Sequence, residues 1–411
     1  MMQMQKTSIM TLTRQQKWVV GSTAAGFMLE NMDMMFVSFA LSSMMIDLHL
    51  TGGQAGLISS ITNLGMLIGG IIFGLLADRI GRIKTFNWTI FIFAFGTALM
   101  YFVKDIQQVY WLRFLTGLGA GGEYGVAMAL IAENFPPNKV GRMTSIGAIG
   151  GQMGAILAAL LAALVLAQAS WHVLFLFGLL PVGLTFFVRR HVKESARFAQ
   201  PKAAFKTANI SLKPLFSTAK VTYQTLALML MAIVQIAGYF GLMNWLPTMM
   251  QKRLGLTVAG SSLWMVATIL GMSLGMLVFG TILDRLGPRL AFGAFLIGSA
   301  LMVFALTLAD NMVTLTLAGA AVGFFSNGMF GGYGAVISRL YPLEIRATAN
   351  NVIVNVGRAI GGFSSVVIGL LMAKHSIFFV MACLSAMYML SLFVMLTVPG
   401  IRGLTPGKIK D

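Results

Sequence analysis

Five ionisable residues stand inside long apolar runs of this sequence: Glu30, Asp33, Arg113, Glu123 and Arg358. A charge in hydrocarbon is costly, so such residues persist where they line a cavity or meet an opposite charge. Glu30 and Asp33 are three residues apart and on a helix share a face. Two carboxylates at close range in low dielectric do not both ionise readily, so one of the pair is expected to keep a proton near neutrality, as a proton carrier must. The polar residues Asn63, Gln152, Gln235, Asn327 and Asn355 fall at similar depths in their own runs. A second reading stays open, in which the acids only pair with Arg113 and Arg358 to tie helices together.

The elements that would position these residues follow from composition. The chain has 411 residues, is 57% hydrophobic and 10% charged, and has a mean hydropathy of +0.84, outside the range of soluble domains. A bilayer core about 30 Å thick needs roughly 20 apolar residues per helix. That window predicts twelve spans, at 17–45, 53–77, 84–103, 107–133, 143–168, 171–190, 222–250, 258–283, 288–308, 312–338, 347–373 and 376–398. By helical rise Arg113 lies about 10 Å outward of the middle of the fourth span. The expected fold is an all-α membrane protein. Cys383 stands alone, which excludes a disulfide framework or thiolate metal cluster. His49, His172, His191 and His375 sit at the ends of spans and no nucleophile with a nearby base stands out, so neither an enzyme nor a cofactor is expected. Gly117, Gly119 and Gly122 mimic a dinucleotide-binding pattern, but no strand precedes them; in a membrane span they read as close helix packing.

The formal net charge is +17. The basic residues fall in short gaps between apolar runs rather than on one solvated face, which argues against nucleic acid and for orientation in a membrane. With both termini cytoplasmic, inner segments hold 23 of the 29 Lys and Arg residues. Residues 191–220 form the one long polar connection, basic throughout, and divide the chain into 1–190 and 221–411. Plasma-membrane insertion as a monomer is expected.

The stretch Gly74-Leu75-Leu76-Ala77-Asp78-Arg79-Ile80-Gly81-Arg82 returns 206 positions later as Gly280-Thr281-Ile282-Leu283-Asp284-Arg285-Leu286-Gly287-Pro288-Arg289. The glycine ending an apolar helix admits a close neighbour, and the aspartate suits another helix's N-terminus, where the dipole favours negative charge. The basic residues belong in a cytoplasmic turn. Gly74, Asp78, Arg79, Gly81, Arg82, Asp284 and Arg285 are therefore expected to form a latch between two similar halves. Repeats of this kind place a substrate site at their interface near the midplane.

The nonapeptide resembles the signature loop between helices two and three of the major facilitator superfamily, and its echo the loop between helices eight and nine. The resemblance covers nearly the whole chain and implies a twelve-helix secondary transporter of two pseudo-symmetric six-helix bundles. It places Glu30, Asp33, Glu123, Gln235 and Asn327 on the cavity-lining helices 1, 4, 7 and 10. Arg113 with Gly117 is similar to the family's helix-four motif, whose arginine is associated with substrate or proton handling. The acidic pair, Gly121-Gly122-Glu123, and Asn355-Val356-Gly357-Arg358 resemble the proton-linked organic-anion symporters of the sialate, aromatic-acid and nicotinate type. Helix one reads Glu30-Asn31-Met32-Asp33 where that group often has D-G-x-D, which loosens the substrate assignment.

The expected function is proton-coupled symport of a small monocarboxylate by alternating access. Glu30, Asp33 and Glu123 would couple the proton, with Asp33 the favoured carrier, and Arg113, Arg358, Gln235, Asn327, Asn355 and Gln152 would bind the substrate. The rivals are proton-coupled efflux of a hydrophobic or cationic compound, sugar symport, and a sensor that binds without transport.

Overall fold

The structure, a computed structural model, describes residues 12–192, 211–254 and 258–404, and its regular elements there are helical. The first six spans are α1 (Arg14–Asp47), α2 (Gly52–Ile80), α3 (Arg82–Leu99), α4 (Ile106–Asn134), α5 (Val140–Leu166) and α6 (Trp171–Leu176 and Leu180–His191, joined by a 3-10 turn). The second six are α7 (Ala219–Leu254), α8 (Val258–Leu286), α9 (Pro288–Met302 with Ala305–Leu308), α10 (Met312–Gly328 and Phe330–Leu340), α11 (Arg346–Gly361 and Ser364–Lys374) and α12 (Ile377–Thr397). Among the described residues ten helices are long and apolar enough to cross a bilayer. The other two spans are α1, a 34-residue helix that carries Glu30 and Asp33 at its centre, and α6, which the 3-10 turn shortens. The expected linker 191–220 lies mostly outside the described residues.

Local chemistry sets the ends of these helices. Thr13 and Thr51 cap α1 and α2 through capping boxes with Gln16 and Gln54. α4 and α10 both stop two residues before a proline: Phe135 precedes Pro136 and Tyr341 precedes Pro342, and both take the extended backbone that a following proline imposes. Gly81 and Gly287 end α2 and α8 with φ of 118° and 89°, a region that only glycine enters without strain. The two halves thus repeat their punctuation as well as their motif.

Packing within each half relies on close backbone approach. A Cβ on Gly117 or Gly121 of α4 would collide with the carbonyl oxygens of Thr62 or Met66 on α2, and one on Gly65 or Gly69 of α2 would meet Phe114 or Leu118 of α4. Gly119 and Gly122 face α3 at Thr89 and Phe93, with Phe73 of α2 also against Gly122. In hydrocarbon, where apolar burial drives little association, such contacts between small residues let van der Waals packing hold helices together. The second half repeats this with Gly271 and Gly275 of α8 against Ala320 and Phe324 of α10.

The halves meet along α2 with α11 and along α8 with α5. At the first seam the Asp78 carboxylate accepts from the backbone N–H of Ala347 (3.1 Å) and Thr348 (2.8 Å) and from the Thr348 hydroxyl (2.6 Å), at the start of α11. At the second, Asp284 accepts from the N–H of Gly141 (2.8 Å) and Arg142 (2.7 Å), at the start of α5. Each aspartate caps a helix of the opposite half.

Candidate functional site

The repeated motif forms much of the expected latch, with two corrections. Gly74 lies where α2 crosses α11, and a Cβ there would meet the Thr348 backbone. Arg82 is fully buried, pairs with Asp78 (2.8 Å) and Glu133 (3.0 Å), and donates to the carbonyls of Ala77 and Leu343. Arg79 and Arg285, by contrast, are exposed. They follow the inward-facing aspartates by one residue, about 100° around the helix, which turns them off the seam. A residue outside the motif takes the corresponding role beside Asp284: Arg339 of α10, at 2.6 Å.

A third set of contacts joins α11 to α4 above the latch. The Asn351 side-chain amide donates to the Gly122 carbonyl (3.0 Å) and its oxygen accepts from the Gly125 N–H (2.5 Å). Asn355 donates to the Gly121 carbonyl (2.7 Å). Asn355 therefore does not line the cavity as expected; its amide is engaged with the α4 backbone.

Beyond these contacts a cavity of about 190 Å³ opens between the halves, lined by residues of α1, α2, α4, α5, α7, α10 and α11. The start of α1 is tied to the latch end of α4 through Gln15 and Gln16 with Asn134. The lining positions Met34, Met35 and Ser38 lie farther along α1, so the cavity extends away from the latch. Of the expected binding residues, Arg358, Gln235, Asn327 and Gln152 line it, together with Glu30, Asn31 and Asn63. Gln235 donates to Asn327 at 2.9 Å. Arg358 from the second half pairs with Glu30 from the first at 2.8 Å, and its guanidinium stands 5.8 Å from the centre of the Tyr124 ring.

The acidic pair is divided. Asp33 accepts from the Thr97 hydroxyl (2.6 Å) and pairs with Arg113 (3.2 Å), whose guanidinium lies over Phe175 at 5.3 Å. All four residues belong to the first half and none lines the cavity. Three residues separate Glu30 and Asp33 by about 60° on the helix, enough to send one toward α11 and the other into the crevice between α3, α4 and α6. Arg113 is corrected from substrate residue to the partner of Asp33, and Asp33 is withdrawn from the cavity. Glu123, fully buried and also outside the cavity lining, has both carboxyl oxygens without a hydrogen-bond partner among the described residues.

The sequence reading missed the aromatic wall: Phe27, Tyr239, Phe240 and Phe330 line the cavity beside Tyr124. Phe27 stacks on Tyr124 at 5.6 Å, and Phe330 meets the same ring at 5.5 Å. A signal was present for three of the four, which lie one helical turn from a polar lining residue: Phe27 from Glu30, Tyr239 from Gln235, Phe330 from Asn327.

Two helical bundles latched at one end around a charged cavity define a membrane carrier rather than a channel or an enzyme. The family model for the Major Facilitator Superfamily matches residues 23–272 and 228–408, and the chain belongs to that superfamily. It is 35% identical over 398 residues to a putative metabolite transport protein of Haemophilus influenzae, covering 94% of this chain and 97% of that one. It is 30% identical over 404 residues to a probable 4-methylmuconolactone transporter of Cupriavidus pinatubonensis, covering 95% and 92%. Other relatives are named as a niacin transporter and a cis,cis-muconate transport protein of Acinetobacter baylyi and a sialic acid transporter of Escherichia coli. The fold superposes on the proton:xylose symporter XylE with a TM-score of 0.79 at 16% identity, covering 94% of this chain and 96% of that one. The protein is a multi-pass secondary transporter of small molecules whose relatives carry small organic anions.

Proposed function

We propose that this carrier imports a small organic monocarboxylate together with a proton, with the substrate carboxylate on Arg358. The observation that carries the reading is the Arg358–Glu30 pair: among the described lining residues Arg358 is the one cation, held by an acid of the other half in a cavity walled by aromatic rings. A guanidinium offers a planar fork matched to a carboxylate, and here its Nη1 donates to Glu30. The aromatic wall suits a flat or ring-bearing anion, in keeping with the niacin named for a relative. Efflux of a lipophilic cation fits less well, because Glu30, the one acid among the described lining residues, is already paired with Arg358.

A proton accompanies the anion because a further negative charge in this low-dielectric cavity is otherwise uncompensated. On this reading the termini are cytoplasmic, the protein acts as a monomer in the plasma membrane, and 1–190 and 221–411 rock against each other through the linker 191–220. The latch then closes the cytoplasmic side, and the structure faces outward. Uptake in proteoliposomes with an acidic exterior, using nicotinate, benzoate, cis,cis-muconate, N-acetylneuraminate, xylose and tetraphenylphosphonium, tests this. Carboxylate uptake stimulated by the gradient and lost in Arg358→Gln is expected. Uptake of xylose or the cation alone, or carboxylate uptake unchanged in Arg358→Gln, refutes it.

A further inference from the structure

The charges around the cavity divide into two closed pairs and one remainder. Asp33 with Arg113, and Glu30 with Arg358, each sum to zero. Glu123 has no cation of its own and no hydrogen bond to either oxygen among the described residues. A buried carboxylate in that situation would have lost its hydration without replacement, a cost that the neutral acid avoids. Its niche is built for it: the carboxyl lies against Gly26 of α1, where any Cβ would strike Oε1, one turn before Glu30. Phe86 of α3 closes the same niche, Tyr124 follows on α4 itself, and the charged groups that act on Glu123 are Glu30 and Arg358.

We propose that Glu123 is the proton-binding residue of the cycle, and that an arriving substrate carboxylate releases Glu30 from Arg358 onto the Glu123 carboxyl. The inference rests on the carboxylate reading above and specifies how anion and proton are tied together. The exchange balances. The substrate anion takes Arg358, and Glu30 leaves as a carboxylate and accepts the O–H of Glu123, so one proton is shared between two acids. The loaded site then carries one negative charge. The empty carrier after proton release, with Glu123 ionised and Glu30 back on Arg358, carries the same single negative charge. Both forms therefore cross between states without moving net charge, and one proton travels with each monoanion.

A neutral Glu123 also explains why the carboxylate of Glu30 has somewhere to go. Two ionised acids brought together would repel, whereas an acid and a carboxylate form a strong charge-assisted hydrogen bond. Asp33 cannot serve, because taking it from Arg113 would strand a fully buried guanidinium.

The first arm of the test needs no substrate. Infrared difference spectra of the purified protein across a pH titration should show a protonated-carboxyl stretch near neutrality, lost in Glu123→Gln and kept in Asp33→Asn. Glu30→Gln should lose it too, because Arg358 without Glu30 draws Glu123 into the carboxylate form. Gly26→Ala, whose methyl intrudes on the niche, should shift the band and serves if Glu123→Gln fails to fold. In the second arm benzoate, nicotinate and cis,cis-muconate are added in turn, and one of them should convert the band to that of a shared proton in wild type and not in Arg358→Gln. A band missing from wild type, or surviving Glu123→Gln, overturns the inference. A Glu123 band that none of the three anions alters overturns the partner exchange, and the carboxylate reading with it, while the protonation of Glu123 stands.

Discussion

Replacing Asp78 by asparagine should open the latched side of the protein while leaving it folded. Three of the contacts of Asp78 cross between halves: the N–H groups of Ala347 and Thr348 and the Thr348 hydroxyl. The fourth, to Arg82, stays within the first half and needs no partner from the other, so it is left out of the ratio. Asparagine keeps one acceptor oxygen, turns an N–H group toward donors of α11, and removes the charge from that helix's N-terminus. Two lost hydrogen bonds at ~1 kcal/mol each and a helix-terminus effect of about 1 kcal/mol give about 3 kcal/mol. That is a shift of about 150-fold toward the state with this side open. Ser145 reports it: it is fully buried where α5 meets Gly280 and Gly331 of the second half. In a Cys383→Ser background, maleimide labelling of Ser145→Cys from the latch side should rise by about two orders of magnitude when Asp78→Asn is added, as a shift of this size converts directly into accessible population. Unchanged labelling together with unchanged turnover would refute the latch, because the hydrogen bonds would then stabilise both conformations equally.

Arg358→Lys should weaken binding of the transported carboxylate by roughly 10- to 100-fold, since a point charge replaces a bidentate fork, while the melting temperature stays near wild type; titration calorimetry beside thermal melting checks the split. Asp33→Asn should lower stability by about 3–5 kcal/mol, the cost of leaving a buried partner charge alone, and Asp33→Asn with Arg113→Met should recover most of it in a chemical-denaturation series. Glu123→Gln should abolish accumulation driven by a pH gradient yet spare exchange of labelled for unlabelled substrate, since exchange never needs the empty, deprotonated carrier to return. Gly125→Ala puts a methyl into the Ala347 carbonyl and the Asn351 amide and should raise the same Ser145→Cys labelling, whereas Gly21→Ala, which meets nothing within 4 Å, should leave it unchanged.

How legible these features were depended on how local their cause is. Asp78 and Asp284 could be placed from sequence because a repeated motif at a helix end has one good use for a carboxylate, the N-terminus of a neighbouring helix. The glycines of α4 could be read as packing because no other use survives inside a membrane span. The partners of Glu30 and Asp33 could not be read, because a spacing of three says that two side chains share a broad face and nothing about which crevices border that face. Asn355 was a polar residue at the right depth and Arg113 one that matched a family motif, and neither depth nor motif distinguishes a cavity wall from a contact between helices. Arg339 was invisible as the partner of Asp284, since the sequence around Asp284 offers Arg285 and Arg289 first, and only the tertiary arrangement turns α10 toward it. Three of the four wall residues stood one turn from a polar lining residue and went unread because aromatic residues are common throughout so apolar a chain.

The face that α11 presents to the first half orders these contacts into a mechanism. Thr348, Asn351, Asn355 and Arg358 follow at intervals of three, four and three, one stripe of a helix, spanning about 15 Å of rise. From the latch inward they meet Asp78, Gly122 and Gly125, Gly121, and Glu30. The first three attachments are hydrogen bonds that rely on close approach of backbones and are lost when the halves part on that side. The last is an ion pair between two longer side chains at the cavity, farthest along the stripe from the latch and able to hold over a wider range of separations. It can therefore persist through the motion that breaks the others. A partner exchange at Arg358 then changes what joins the halves at that point, from Glu30 to the substrate, without itself opening either side. If Arg358 takes the substrate as proposed, binding and gating act on one stripe of one helix, and the order of its residues sets which contact answers to the substrate and which to the parting of the halves.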